Sequence, residues 1–411
     1  MGRLYGSLFL HANMQYAEIP KAKLPVLVQR SYLPALEALL AHPGVKVALE
    51  FSGISLEWLE QNAPDVISGV RTLVARGQAE LLASTYADPI LPLLPPDEGE
   101  RQISRFFTVY DRIFGDLAPR PQGFYAQEYA VDASVVDLLA RRGLKWVVVS
   151  SGQYKISKRG LLNSALKRIP PQEEFAAGEP VPRPYEIIGA RESRIAGVTW
   201  NMPGPNDLVF AWKDGRATWA EVEAYLASLE ARYCHAEDGF VLLATGDTEF
   251  VGDLPPQGNF HAPKFAELLD RLQGTDTVEM ALPSAYLGEH PCSEALYLKC
   301  GAGARFSDLQ NWISDPDNMR LNDLCDDVRG QIRLASAMID LVEALGFAAQ
   351  SARTELTRAQ DALLLAENSD GRGWNPIPER RLDCYDQALN ARDAAAAALA
   401  QATAAVRSAR G

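Results

Sequence analysis

The chain has 411 residues, of which 47% are hydrophobic and 23% charged, and a formal net charge of −13. That length allows one large domain and a smaller appendage, since a domain takes ~100–200 residues and barrels take more. A phosphate-binding or anionic-membrane face needs clustered Lys and Arg, so neither nucleic acid nor a membrane is expected as a partner.

Over residues 1–290 strand-like and helix-like segments alternate, the pattern of a mostly parallel sheet or barrel. Strands are expected at Leu4–Leu10, Val45–Phe51, Ala79–Ala83, Gly123–Ala126, Trp146–Ser150, Phe240–Thr245 and Val278–Leu282. Trp146–Ser150 is the kind of apolar run that a strand buried on both faces shows. Between the strands, Val66, Val70 and Leu73 recur at helical spacing, as do Ile103, Phe106, Phe107, Tyr110 and Phe114. Thr218 with Glu221 is a capping-box pattern. These stripes read as core.

The alternation blurs over 151–213, where Pro170–Pro184 is rich in Pro and Glu and Tyr185–Ala190 and Ile195–Asn201 read as extra strands. We expect an insertion near the cleft, because long excursions from barrels gather around the site. From about Arg305 the pattern is helical: Leu321–Leu345, Ala348–Glu367 and Arg381–Arg407 suit a three-helix bundle, with the Ala-rich run Ala394–Ala398 in a packing helix. The expected fold is α/β, with a barrel-type domain over 1–295 and a C-terminal helical domain over 296–411.

The five cysteines are odd in number, widely spaced and free of CxxC or Cys/His zinc spacing. They read as free thiols of a reducing compartment. Leu8-Phe9-Leu10 is too short for an export signal, and no apolar stretch nears the ~20 residues that cross a bilayer. A cytoplasmic location is expected; the oligomeric state is not readable.

Reactive side chains gather after the expected strands, at the ends that share one face in a parallel barrel. His11, Asn13, Gln15 and Tyr16 follow the first strand. Tyr86 and Asp88 follow the third. Gln127 and Glu128 follow the fourth, and Asp247 and Glu249 follow Phe240–Thr245. Two carboxylates flanking a sugar cleave a glycosidic bond: one meets the cationic anomeric carbon, the other protonates the leaving oxygen. Asn, Gln, Tyr and His suit sugar hydroxyls, which both donate and accept. A single acid after a strand reads equally well as a helix cap or ion-pair partner. His11 reads as a sugar ligand or a polar core plug, and Trp200 and Trp212 as stacking platforms or core.

At these clusters the sequence resembles glycoside hydrolase family 57. Leu10-His-Ala-Asn-Met-Gln-Tyr-Ala-Glu-Ile-Pro20 is similar to the family's first conserved region, whose His contacts the sugar. Gly77-Gln-Ala-Glu80 is similar to the second, and Phe124-Tyr-Ala-Gln-Glu128 to the third, whose Glu is the nucleophile. Asp247-Thr-Glu249-Phe250 is similar to the fourth, whose Asp is the acid/base, and Pro283-Ser284 to the weak fifth. The similarity extends to Leu363–Trp374, in whose turn-rich Asp370-Gly-Arg-Gly-Trp374 both Asp370 and Trp374 are candidate substrate contacts.

The resemblance implies an incomplete, seven-stranded β/α barrel with a C-terminal helical bundle that completes the cleft, and no metal or other cofactor. It implies retention at the anomeric centre through a covalent glycosyl-enzyme on Glu128, with Asp247 as acid/base of raised pKa. Glu80 is expected to bind substrate or to orient His11. The substrate is an oligosaccharide or polysaccharide with α-linked sugars, handled in an amylase-like or α-galactosidase-like way by hydrolysis or transglycosylation. There are departures. Tyr125 and Gln127 stand where the third region has Trp and Pro, Asp88 stands where the second often has His, and Thr248 separates the carboxylates of the fourth. Two rival readings are a glycan-binding barrel without turnover and a metal-dependent polysaccharide deacetylase. The latter needs a His-x-x-x-His pair that the five histidines do not supply.

Overall fold

The computed structural model describes residues 2–117, 119–157, 181–201, 204–235, 237–251, 262–303 and 308–408. The chain divides into two compact units. One comprises Met1–Met14, Lys21–Tyr86 and Leu91–Asp308; the other comprises Gln15–Pro20, Ala87–Ile90 and Leu309–Gly411.

The first unit is α/β. Its strands are β1 (Leu4–Ala12), β2 (Val47–Phe51), β3 (Ala79–Leu81), β4 (Gly123–Phe124), β5 (Trp146–Ser150), β6 (Tyr185–Ile188), β7 (Arg194–Trp200), β8 (Gly239–Asp247), β9 (Glu279–Met280) and β10 (Ala295–Leu296). One sheet runs β3-β2-β1-β8, with β9 also paired to β1; the other runs β10-β6-β7-β5-β4. A parallel bridge between Ala83, just past β3, and Phe124 joins them. The resulting parallel order is β8-β1-β2-β3-β4-β5-β7.

Every residue of β2 and β5 is buried. That is why these strands read as apolar runs rather than alternating ones. Phe9, Trp146, Val148, Val198 and Leu242 meet in one core. Gly123 lets β4 approach β5: a Cβ there would lie 2.2 Å from the Trp146 ring. Outside the sheets, helix Pro96–Phe114 buries the expected Ile103, Phe106, Phe107, Tyr110 and Phe114. Thr218 and Glu221 form the capping box that opens helix Trp219–Tyr233.

Residues 170–180 of the Pro- and Glu-rich stretch lie outside the described residues, as do 304–307, where helical character was expected to begin. Tyr185–Ile188 and Arg194–Trp200 are strands, as expected. Yet β7 pairs in parallel with the whole of β5, so this part of the expected insertion belongs to the sheet itself.

The second unit is built on helices Pro316–Ala344, Gln350–Ala366 and Pro378–Ser408. Leu321, Val328, Ile332 and Leu363 form its core with Ala391, Ala394, Ala398 and Ala402 of the last helix. The alanines recur every three or four residues, so the Ala-rich run is a close-packing face. The guanidinium of Arg329 pairs with Glu367 inside this core at 2.7 Å. Among the described residues no helix is long and apolar enough to cross a membrane, and all five cysteines are free thiols.

Candidate active site

The site builds outward from the C-terminal end of β1. In the parallel ladders His11 is the register partner of Glu50 on β2 and of Asp247 on β8. In-register partners on adjacent strands point to one face, so Glu50, His11 and Asp247 form a row across three strands. His11 and Glu50 are buried, and Asp247 is half-buried. His11 Nδ1 is paired with Glu50 Oε2.

That row depends on an irregularity. Leu8 pairs with Leu243, but Leu10 pairs with Gly246, so β8 carries one residue more than β1 between those points. Ala244 takes up the extra residue at φ 45°. Because strand side chains alternate, a one-residue slip moves every later side chain to the other face. Continued from Leu8 and Leu243 without the bulge, the register would set Gly246 opposite His11.

Beyond β8, Glu249 is fully buried. Its Oε1 accepts from the backbone N–H of Asn13 at 2.7 Å and from the Tyr32 hydroxyl, and its backbone carbonyl accepts from Ser31 Oγ at 2.8 Å. Burial, and then the charge of Asp247, push the Glu249 carboxyl well above the usual carboxylate range, and His11 opposes the shift.

Glu128 sits in a strained turn. It and Tyr129 both adopt the left-handed region, at φ 58° and 57°, a conformation that costs an L-residue ~1–2 kcal/mol. Surrounding contacts hold the turn. The Glu128 carbonyl accepts from Gly303 N–H at 2.6 Å, and Val131 N–H donates to Gly301 O at 3.3 Å. Tyr129 stacks on Trp200 with ring centres 4.5 Å apart and meets Tyr125 edge-on at 5.2 Å. Tyr125 in turn lies 4.9 Å from the His11 ring. Gly303 packs so closely that a Cβ would come within 2.4 Å of the Tyr129 ring.

Glu128 and Asp247 act on the same two phenols. Burial raises Tyr125 and Tyr129 well above their ordinary pKa, and the charges of both carboxylates add to the rise in each. His11, Asn13, Tyr125, Glu128, Asp247 and Glu249 therefore belong to one neighbourhood. Gln127 is buried in the same turn as Glu128.

Other expected residues lie elsewhere. Glu80 does not pair with His11; Glu50 does. Glu80 is in register with Ala48, two residues below Glu50 on β2, and accepts from the Ser284 backbone N–H at 3.2 Å. Burial pushes its pKa up to about 7. The Tyr86 hydroxyl donates to Glu57 at 2.8 Å beneath the Arg105 guanidinium. Trp212 is core, packed on Trp219. Gln15, Tyr16, Asp88, Asp370 and Trp374 fall in the second unit. There Gln15 Oε1 accepts from Arg380 at 3.1 Å, and Tyr16 O from Ile19 N–H at 3.1 Å. Asp88 O accepts from Ser369 N–H and Asp370 Oδ1 from Ala17 N–H, both at 3.1 Å. Trp374 is about half exposed, with its ring edge-on to Trp312. Among the described residues no group of three His, Cys, Asp or Glu is arranged to hold a metal ion.

Sequence reasoning missed Glu50, Tyr32 and the 301–303 segment; Tyr129 stands in the cluster with Gln127 and Glu128 but carried no role there. Glu50 had a signal: it is the one carboxylate of β2, a strand otherwise apolar.

Comparison with known proteins bears on this geometry. The model of "Glycosyl hydrolase family 57" matches residues 6–299. An alpha-amylase of Pyrococcus abyssi is 32% identical over 138 residues, 34% of this chain and 20% of that protein. A 4-alpha-glucanotransferase of Thermococcus litoralis is 34% identical over 137 residues, 33% of this chain and 20% of that one. The matched stretch thus spans about a fifth of these relatives' length. Among solved structures, the Thermococcus litoralis 4-alpha-glucanotransferase superposes with a TM-score of 0.67 at 18% identity, covering 95% of this chain and 60% of that one. A GH57-type branching enzyme from Pyrococcus horikoshii gives 0.66 at 15% identity, covering 97% and 88%. These structural likenesses concern the fold.

Proposed function

The chain belongs to glycosyl hydrolase family 57, and we propose that its α/β unit is a retaining α-glycosidase or transglycosylase working through Glu128 and Asp247. The observation that carries this reading is the chain of contacts between the two strand ends: Asp247 is the register partner of His11, whose ring lies 4.9 Å from Tyr125, and Tyr125 meets Tyr129, the neighbour of Glu128, at 5.2 Å. The strained turn that presents Glu128 and the bulge that brings Asp247 into the row of His11 support it. Strain of this kind gathers where function demands a particular placement.

In the first step Glu128 attacks the anomeric carbon while Asp247 gives its proton to the glycosidic oxygen. The C–O bond breaks, the alcohol departs, and an ester joins the sugar to Glu128. In the second step Asp247 removes a proton from water or from a sugar hydroxyl. That oxygen attacks the anomeric carbon and Glu128 is released. Two displacements at one carbon retain its configuration.

The substrate we propose is an α-linked glucan or oligosaccharide, in keeping with relatives named alpha-amylase and 4-alpha-glucanotransferase. The five free thiols suit a reducing compartment, and a cytoplasmic location belongs to the same reading.

A panel of 4-nitrophenyl α-glycosides and malto-oligosaccharides tests the function with wild type, Glu128→Gln and Asp247→Asn. Glu128→Gln is expected to abolish turnover of every substrate. Asp247→Asn is expected to lose ~10²–10⁴-fold on oligosaccharides while sparing aryl glycosides, whose leaving groups need little protonation. Unchanged rates in both variants would remove the assignment.

A further inference from the structure

We propose that Glu50 is a positioning residue for glycosyl transfer, holding His11 by Nδ1 so that the ring keeps a proton on Nε2 for a hydroxyl of the reacting sugar. The inference rests on the reading of the site as a glycosidase.

Glu50 is fully buried in β2. Its Oε2 pairs with His11 Nδ1, and among the described residues its buried Oε1 has no hydrogen-bond partner. A buried carboxylate is costly unless a charge or several donors compensate it. The group that can compensate Glu50 here is a protonated imidazole. Apolar neighbours would have packed this strand more favourably, so a carboxylate at this position points to a task beyond packing.

The task follows from imidazole chemistry. The bond made by one ring nitrogen decides which protons the other carries. A carboxylate on Nδ1 fixes a proton there and favours the cation, whose second proton sits on Nε2. Nε2 is then a donor and cannot accept. The charged and titratable groups around the ring come from each adjoining strand end. They are Glu50 from β2, Asp247 and Glu249 from β8 and beyond, and the Tyr125 phenol after β4. Of these the Glu50 carboxylate is the one hydrogen-bonded to Nδ1, and a carboxylate there favours the imidazolium. Tyr125 lies against the ring at 4.9 Å with planes 43° apart and limits its rotation.

The test reads the ring directly and the reaction separately. His11 is followed by NMR in histidine-labelled protein, its resonances assigned by their loss in His11→Gln. In wild type a slowly exchanging downfield Nδ1 proton is expected, and its absence overturns the proposal without any variant of Glu50. In Glu50→Gln, checked for folding by its thermal transition, the His11 titration midpoint is expected to fall by about 1–3 pH units. The high-pH limb of kcat/KM on a 4-nitrophenyl α-glycoside should fall with it. Glu50→Asp, which keeps the charge, should recover part of both shifts. An unmoved His11 midpoint in Glu50→Gln overturns the proposal, as does a moved midpoint with an unmoved kinetic limb; a purely structural Glu50 would leave that limb in place. If wild type turns over no glycoside, the functional reading fails and takes this inference with it, whatever the spectra show. If turnover is present and the midpoint stays, the inference fails alone.

Discussion

His11 and Asp247 face each other across β1 and β8 because β8 holds one residue more than its partner strand between Leu243 and Gly246. The extra residue is accommodated at Ala244, whose φ of 45° is one that glycine adopts freely and β-branched residues resist. Ala244→Gly should keep full activity and gain up to about 1 kcal/mol of stability from relieved strain. Ala244→Val should lose about 1–3 kcal/mol and most of its kcat, because a ladder that regularises places Gly246 in the row of His11. Thermal unfolding with kcat/KM on one aryl α-glycoside checks both. Equal behaviour of the two variants would show that the bulge does not position Asp247.

The turn that presents Glu128 leans on Gly303, 175 positions further along the chain. Gly303 donates to the Glu128 carbonyl and lies flush against the Tyr129 ring. Gly303→Ala inserts a methyl group into that ring's space and should cost about 1–3 kcal/mol, as overpacking does. It should also lower kcat more than it raises KM, because the displaced turn carries the proposed nucleophile. Steady-state kinetics and denaturant unfolding of the variant test this. A variant that loses stability but keeps kcat would separate the brace from catalysis.

Glu80 gives a pH signature independent of catalysis. Its pKa is raised from an ordinary 4.5 to about 7 by burial, so the folded state takes up a proton between those values that the unfolded chain has released. The stability this group contributes is fully present below pH 4.5 and is lost as pH rises through 7. The loss is at most about 3 kcal/mol, at about 1.4 kcal/mol per pH unit. Glu80→Gln should match wild type near pH 4.5 and exceed it at pH 8, which urea unfolding at the two pH values measures. Parallel pH dependence in both proteins would contradict the burial of an ionisable Glu80.

Much of this is legible in the sequence. The strands β1, β2 and β5 declare themselves because burial on both faces writes an apolar run into the sequence. The capping box at Thr218 and the alanine face of the last helix are local patterns of the same kind. What escaped detection depends on pairing rather than pattern. Glu50 becomes meaningful only once β1 and β2 are set in register, since a lone acid in Val47–Phe51 looks the same whether it faces His11 or solvent. The bulge at Ala244 leaves no trace in a strand apolar on both faces, because there is no alternation to break. Gly301 and Gly303 look like turn residues of a linker, and nothing local joins them to Glu128. The same blindness to register made Glu80, inside a recognisable Gly-x-x-Glu pattern, look like the partner of His11.

The role of Glu128 is tested most directly by trapping the covalent intermediate. Wild-type protein incubated with a 5-fluoro-α-glucosyl fluoride, which forms the ester faster than it is hydrolysed, is digested and its peptides are weighed by mass spectrometry. A fluoroglucosyl ester on the peptide containing Glu128, absent after incubation of Glu128→Gln, is the expected result. An ester on Asp247 or another carboxyl, or turnover of natural substrate with no ester on any peptide, would contradict it.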